Sequence, residues 1–232
     1  MGLAQQGVVV ASGNPLMVQG VIPAGVAAKG SVIYRNAVWT MLSHASIQGG
    51  GNTVTLDTTG ANLIVLCAAY YAGTFVISDN QSNTWTNAVN IGSFPVSAIS
   101  YCINPATSAQ HVVNLNANFA VMMVAAFEAP AAFVADQTVT YSDGGGITTV
   151  PMPAIDAAAN SLLVTTIGHG YSTATIDSGF TLIASFPRGG NYGGAAAFGT
   201  ASNAASVSPT WTLANLVTAG STAATMMSFK PS

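Results

Sequence analysis

Asp57 to Val65 reads D-T-T-G-A-N-L-I-V, and 99 positions further on Asp156 to Val164 reads D-A-A-A-N-S-L-L-V. The likeness continues downstream. Each copy runs through a Ser/Thr/Gly turn into an Asp (Asp79, Asp177) and then a strand ending in an aromatic (Trp85, Phe186). An apolar strand with a central aromatic follows, A-I-S-Y-C-I-N at 98 to 104 and A-A-A-F-G-T-A at 195 to 201. The copies close on V-M-M-V-A-A-F-E-A-P at 121 to 130 and A-T-M-M-S-F-K-P at 224 to 231. A duplicated unit of this size, with no acid/base cluster in either copy, points to a binding or building module.

Enrichment in Val, Ile, Thr and Tyr with period-two alternation, bounded by Gly, Asn, Asp and Pro, predicts strands throughout. In the first copy they fall near 53–57, 62–71, 74–79, 83–89, 96–104, 110–116 and 120–128. The second copy repeats them near 147–151, 161–168, 173–178, 180–186, 193–201, 207–213 and 222–229. Residues 120–129 read as a strand buried on both faces, not a helix, because they lack charged spacers. The expected fold is all-β: two tandem antiparallel β-sandwiches of the immunoglobulin or jelly-roll kind. Residues 51–133 and 150–232 form the sandwiches, and 134–149, with D-G-G-G at 143–146, is the expected linker. Residues 1–50 stand outside the repeat. Their short Val/Ile runs, punctuated by Gly and Pro, predict an extended arm docked on the chain's own domains or on a neighbouring subunit. The alternative is a β-ribbon that adds an edge strand to the first domain, with Ile33 to Trp39 as one strand.

At 232 residues the length fits one large or two modest domains, and the repeat selects two. Only 5% of residues are charged, against roughly 25% in an ordinary soluble domain, so Ser, Thr, Asn, Gln, Gly and Ala must build the exposed faces. Four cations, Lys29, Arg35, Arg188 and Lys230, cannot make a phosphate-tracking stripe, which sets nucleic acid aside as a partner. The longest apolar stretches, 61–71 and 119–135, fall short of the ~20 residues of a helical span. The Gly/Ala-rich strands lack the aromatic girdles of a membrane barrel, so no membrane is expected either. The opening M-G-L-A-Q-Q-G-V-V-V has no basic region before its apolar residues, and Gln6 stands where a myristoylation signal needs Ser or Thr.

The residues able to carry chemistry are dispersed. His44, His111 and His169 have no Cys or carboxylate at ligand spacing, and no H-x-x-x-H, C-x-x-C or D-x-D-x-D occurs. No metal or cofactor is therefore expected. His169 lies in G-H-G-Y-S, superficially like a hydrolase loop, but no G-x-S-x-G elbow supplies a nucleophile. No pair of acids stands out for glycosidase work, and A-A-K-G-S at 27–31 reverses the Lys and Gly of a P-loop. No catalytic residue is assigned. Asp79 and Asp177 read as matching turn-setters that bond their own backbone, with a loop calcium ligand as the sharper alternative. Cys67 and Cys102, both in predicted strands, read as buried free thiols, with a disulfide between neighbouring strands as the alternative. Trp85 and Trp211 read as core or turn-packing aromatics, with a glycan-stacking platform as the alternative, and Tyr70, Tyr71 and Tyr192 are further stacking candidates.

The string G-T-F-V-I-S-D-N-Q-S-N-T-W-T at 73–86, preceded by A-N-L-I-V-L and followed by S-Y-C-I-N-P-A-T-S-A-Q-H-V-V-N-L, resembles a recurring β-sandwich module. Its usual shape is V-S-D-x-x-G-N-x-Y/W, then an aromatic strand, then T-V-T; here Ser82 replaces the turn Gly. Such modules occur in accessory virion proteins of tailed bacteriophages and in bacterial surface or secreted proteins. The resemblance covers 53–130 closely and 150–231 more loosely, and implies a fold without any catalytic residue. Joined to the duplication and the low charge, it leads to the expectation of a non-enzymatic virion structural protein, foremost a capsid decoration (cement) protein assembled in a bacterial host's cytoplasm. Its expected partners are the major capsid protein or other virion proteins and further copies of itself, with a trimer as first guess. Val8, Val9, Val10, Val21 and Ile22 are the expected partner-binding residues. A carbohydrate-binding adhesin using Trp85 or Trp211, or a tail or fibre component, is the alternative.

Overall fold

The computed structural model describes residues 39–49, 52–92, 95–118, 120–129, 132–144, 146–177, 179–188, 192–216 and 222–232; these contain strands and no helix. In the first copy the strands are β1 (Thr40–Gln48), β2 (Thr53–Leu56), β3 (Leu63–Tyr70), β4 (Ala72–Asp79), β5 (Thr86–Ile91), β6 (Val96–Ile103), β7 (His111–Asn118) and β8 (Val121–Glu128). The second has β9 (Phe133–Asp143), β10 (Thr149–Pro151), β11 (Ile155–Ala157), β12 (Ser161–His169) and β13 (Tyr171–Ile176). It continues with β14 (Phe180–Phe186), β15 (Gly193–Ala201), β16 (Ala205–Val207), β17 (Thr210–Leu216) and β18 (Thr222–Pro231).

Every pairing is antiparallel, and the two copies are wired alike. The first forms a five-stranded sheet in the order β1-β8-β3-β6-β5 and a three-stranded sheet β2-β7-β4. The second forms β9-β18-β12-β15-β14 and β10-β17-β13, plus a small ladder of β11 with β16. First strand pairs with last, second with seventh, third with sixth. This nesting is that of a jelly roll, with the fifth strand held beside the sixth in the larger sheet. The irregularities are duplicated too. A bulge interrupts β5 between Asn87 and Val89 and β14 between Leu182 and Ala184, opposite equivalent residues of β6 and β15.

One expectation is corrected: residues 134–149 are not a linker, because β9 occupies most of them and pairs with β18 along its length. Within residues 1–50, β1 is an edge strand of the first sandwich, paired with β8. Both are half-buried edge strands carrying a bulge, so their apolar residues do not alternate cleanly enough to stand out. Val8, Val9, Val10, Val21 and Ile22, and all of Ile33 to Trp39 except Trp39 itself, lie outside the described residues.

Residues 38–232 make one unit because the copies share a core. In β3, Ile64, Leu66, Ala68 and Tyr70 face the first copy's own smaller sheet, whereas Leu63, Val65, Cys67 and Ala69 face the second copy. They meet Leu162 and Val164 of β12, Ala196 of β15, and Met227 and Phe229 of β18. Four sheets are thus stacked with three apolar layers between them, and the two larger sheets lie innermost. This explains the unbroken apolar runs of β3, β8 and β12, whose described residues are buried on both faces except Glu128.

The contact between copies is reciprocal. Leu63 pairs with Phe127 as Leu162 pairs with Phe229, and Val65 pairs with Tyr101 as Val164 pairs with Phe198. Phe127 is therefore equivalent to Phe229, and Tyr101 to Phe198. Phe127 packs edge-on against Phe198 at 5.4 Å, and its equivalent Phe229 packs edge-on against Tyr101 at 5.3 Å. Trp39 and its equivalent Phe133 meet each other at 4.9 Å. Residue i touching j while j's counterpart touches i's is the signature of an isologous, twofold interface, here built within one chain. Buried polar groups in this layer are matched. The Trp39 indole N–H donates to the Asn160 carbonyl (2.9 Å), and Ser97 Oγ lies 3.2 Å from the Thr166 carbonyl and 3.1 Å from Thr225 Oγ1.

Each larger sheet loses the cover of one face if the other copy unfolds. Calorimetry should therefore show a single transition, and Phe127→Ala should lower the unfolding free energy by about 3–5 kcal/mol. Two resolved transitions, only one of them moved by F127A, would show that the copies fold independently.

Candidate functional site

Three turns converge at one end of the first sandwich on a buried polar knot. Asp79, the last residue of β4, accepts the backbone N–H of Gln81 (2.8 Å) and of Asn83 (3.1 Å) on Oδ1 and the Trp85 indole N–H (2.7 Å) on Oδ2. His111 opens β7 with its Nε2 3.6 Å from Asp79 Oδ2 and its Nδ1 3.0 Å from Thr58 Oγ1. Thr58 in turn accepts the Ser108 N–H at 3.0 Å. With the Thr58 hydroxyl proton turned to Nδ1, the ring carries its proton on Nε2, towards the carboxylate. At 3.6 Å that last contact is electrostatic and not a hydrogen bond. Burial pulls the Asp79 carboxyl upward, but the donors from Asn83, Trp85 and Gln81 outweigh it and hold it below the ordinary carboxylate value.

Hydroxyl, imidazole and carboxylate in a row is the constellation of nucleophilic catalysis. Here the Thr58 residue and the side chains of His111 and Asp79 are all 0% exposed. No substrate carbonyl reaches Thr58 Oγ1 in this arrangement; what the knot does is tie three turns together. The second copy closes the same end differently. There the short β11–β16 ladder lies where the first copy has Asp57, Thr58 and Ser108, bridged by the Thr58 N–H to the Ser108 carbonyl at 2.9 Å.

The register between copies corrects the sequence alignment by one position. Asn80 exchanges bonds with Val112, its N–H donating to the carbonyl and its Oδ1 accepting the N–H. Asp177 does the same with Thr210, through Oδ2. Asp177 is thus the counterpart of Asn80, and Asp79 has Ile176 as its own. Similarly Thr86 pairs with Tyr101 and Thr181 with Phe198, so Trp85 corresponds to Phe180 and not to Phe186. Asp79 sets its turn by bonding its own backbone, as the sequence predicts, whereas the Asp177 carboxylate bonds across to Thr210 and is not the matching turn-setter expected. The turn residue Ser82 adopts a left-handed φ of 58°.

The remaining candidates separate cleanly. Trp211 is 0% exposed, and its indole N–H reaches Thr165 Oγ1 at 3.2 Å. It offers no face for a sugar, which corrects the stacking alternative at that residue. Trp85 is half-buried against the first sandwich core, with its N–H held by Asp79. Cys67 and Cys102 are free. Cys67 faces the second copy, whereas Cys102 pairs with Ile64 on the opposite face, so they cannot join. Burial pushes both thiols up, with the charge of Asp79 adding to the effect at Cys102. His44 is exposed on β1, while His169 is buried at the end of β12. Among the described residues no three His, Cys, Asp or Glu side chains converge.

One surface cluster gathers groups that the sequence kept apart. It lies on the seam between copies, where the turn after β3 meets the connection from β14 to β15. Tyr71, 42% exposed, stacks on Tyr192 with centroids 5.6 Å apart and planes 18° from parallel. The Arg188 guanidinium sits 4.3 Å from the Tyr192 ring centroid. Gln48 at the end of β1 donates to the carbonyls of Pro187 (2.8 Å) and Tyr192 (3.2 Å), fixing that connection against the first copy. Sequence reasoning picked out the two tyrosines but missed Arg188, whose only signal was its spacing of four from Tyr192 in a Gly-rich loop. Against protein-family models, curated proteins and solved structures, the chain has no match.

Two predictions follow from these geometries. Left-handed backbone costs an ordinary residue about 1 kcal/mol or more, which Gly avoids. Ser82→Gly should therefore raise the urea midpoint by an amount worth roughly 0.5–1 kcal/mol at unchanged m; a lowered midpoint would show that the Ser side chain matters more than the backbone. The second concerns acid. Burial pushes His169 down to about 4 from 6.5, and the Tyr171 N–H aimed at Nδ1 (3.1 Å) needs the lone pair of the neutral ring. Between those values the unfolded chain binds a proton that the folded chain refuses, so stability falls as pH falls through this window, by ~3 kcal/mol in all. Asp79, held low, adds its own loss only below the ordinary carboxylate range. Denaturation curves across this window should show the slope, and His169→Gln should flatten it; an equal slope in both proteins would sink the assignment.

Proposed function

We propose that this chain is a non-enzymatic structural component of a bacteriophage particle, a capsid decoration protein that acts through protein–protein contacts. One observation carries the reading. Of the five large hydrophobics exposed among the described residues, Leu42, Val76, Val134 and Leu182 lie on β1, β4, β9 and β14, each an edge strand of its sheet. Val76 is 53% exposed. Proteins that work alone guard sheet edges with Lys, Pro or inward charges. Here the edges carry apolar side chains on a chain with four cations in total. Covering such edges with neighbouring subunits removes both the apolar surface and the unpaired backbone groups.

The outer faces support the same reading. Thr53, Thr55, Asn114 and Asn116 line one smaller sheet, and Thr149, Thr173, Thr175 and Thr212 the other; none is charged. A surface of hydroxyls and amides is compatible with close packing against capsid subunits without desolvating ions. The two jelly rolls, fixed across their shared core, would act as one rigid block. The major capsid protein and further copies of this chain, as a trimer, are the proposed partners, in a particle assembled in the host cytoplasm.

Sedimentation analysis of the full chain should show a concentration-dependent oligomer, and mass spectrometry of purified particles should detect it. Val76→Lys and Leu182→Lys, which charge two edges, should weaken assembly by about tenfold or more without lowering the thermal midpoint. A chain that stays monomeric at high concentration and is missing from particles defeats the proposal.

A further inference from the structure

The duplication supplies an internal control for the seam cluster. His169 lies opposite Gly193 as Tyr70 lies opposite Val96, so Tyr71 corresponds to Gly170 and Tyr192 to Pro95. Gln48 pairs with Val121 and Ser142 with Ala223, so Gln48 corresponds to Ser142. The same twofold relation that turns Phe127–Phe198 into Phe229–Tyr101 thus turns Tyr71–Tyr192 into Gly170–Pro95. Among the described residues, the equivalent positions Gly170 and Pro95 carry no aromatic stack. The stack of Tyr71, Tyr192 and Arg188 is therefore something the fold does not require.

Its charge is also unusual for this molecule. Of the two described cations, Lys230 is paired, with Nζ 2.7 Å from Asp136 Oδ1. Arg188 has no carboxylate partner among the described residues, and its Nε is buried without a hydrogen-bond acceptor. Its backbone is held by the N–H to the Tyr171 carbonyl at 2.8 Å, and the neighbouring chain by Gln48. The guanidinium is thus held on a ring, with no carboxylate of the described residues paired to it.

We propose that this seam is a binding site for an acidic saccharide, a hexuronic or sialic acid unit. Its carboxylate bonds Arg188, and the C–H face of its ring lies on the Tyr71–Tyr192 stack. A planar guanidinium matches a carboxylate in bidentate fashion, and a half-exposed tyrosine offers an apolar face beside a polar rim. The site goes beyond the structural role proposed above and stands or falls separately from it.

The chain has only two arginines, Arg35 and Arg188, so the arginine Nε–Hε region of an NMR spectrum holds two signals, assigned with Arg188→Gln. Titration of the full chain with sialyllactose and with trigalacturonate should shift the Arg188 signal saturably. Lactose and sodium acetate at equal concentration should leave it in place. Tyr71→Ala, at an exposed position, should weaken binding about five- to tenfold with the thermal midpoint unchanged. No shift with either acidic sugar overturns the site. An equal shift with acetate reduces it to a bare anion contact, and an equal shift with lactose removes the acidic specificity; either result also overturns the proposal. Particle incorporation is measured separately, so its failure and the failure of this site are distinguishable.

Discussion

The apolar layer between the two copies is the constraint on which the rest of the structure depends. Each five-stranded sheet is too apolar to face water: Leu63, Val65, Cys67 and Ala69 on one side meet Leu162, Val164, Met227 and Phe229 on the other. At roughly 25 cal/mol per Å² of apolar surface buried, a full sheet face outweighs any single turn or cap in the molecule. Close approach at the centre also restricts the side chains. A Cβ on Gly194 would fall 2.8 Å from the Ala69 Cβ, so only small residues let the sheets meet there. At its seam-facing positions 194 and 196 β15 accordingly has Gly and Ala, where β6 has Ser97 and Ile99.

Burial on two faces turns hydroxyls of the central strands back onto the neighbouring backbone. Thr165 Oγ1 donates to the Thr225 carbonyl, and Thr166 Oγ1 to the Ala195 carbonyl, both at 2.9 Å. A small hydroxyl in a strand can turn back on the neighbouring ladder, whereas a charged group could not be satisfied there. The low charge of the chain is thus in part a consequence of its stacking, since β3, β8 and β12 are buried on both faces apart from Glu128. The Asp79 carboxylate avoids this restriction by sitting at a sheet end, where turn N–H groups are free to converge on it.

Much of this was legible. The repeat disclosed the duplication, strand periodicity located seven of the eight main strands in each copy, and the run at 121–128 declared its double burial. What escaped was β1 and β9. Their apolar residues are interrupted by bulges and by polar positions such as His44 and Asp136, because an edge strand is held by one neighbour only. Missing those two strands blurred the choice between an immunoglobulin-like sandwich and a jelly roll, which rests on the pairing of first strand with last. The face-to-face packing was equally hidden, for a sequence records that β3 is buried twice but not by what. The Asp79–His111–Thr58 knot joins residues 53 apart at its widest bond, and no local pattern encodes such a meeting.

Comparison of the copies separates what the fold needs from what it merely carries. Features present in both, the nested pairing, the bulges in β5 and β14, the exchanged bonds of Asn80 and Asp177, are requirements of the architecture. Features that differ divide again. The Asp79 knot and the β11–β16 ladder are unlike in chemistry but close the same end of a sandwich, so each is a local solution to one packing problem. The Tyr71–Tyr192 stack has no such counterpart, because Gly170 and Pro95 occupy the equivalent places and leave nothing comparable to fill. An asymmetry that the second copy does not repeat, and that sets the Arg188 guanidinium on the half-buried Tyr192 ring beside the exposed Tyr71, is where a function acquired after duplication would reside.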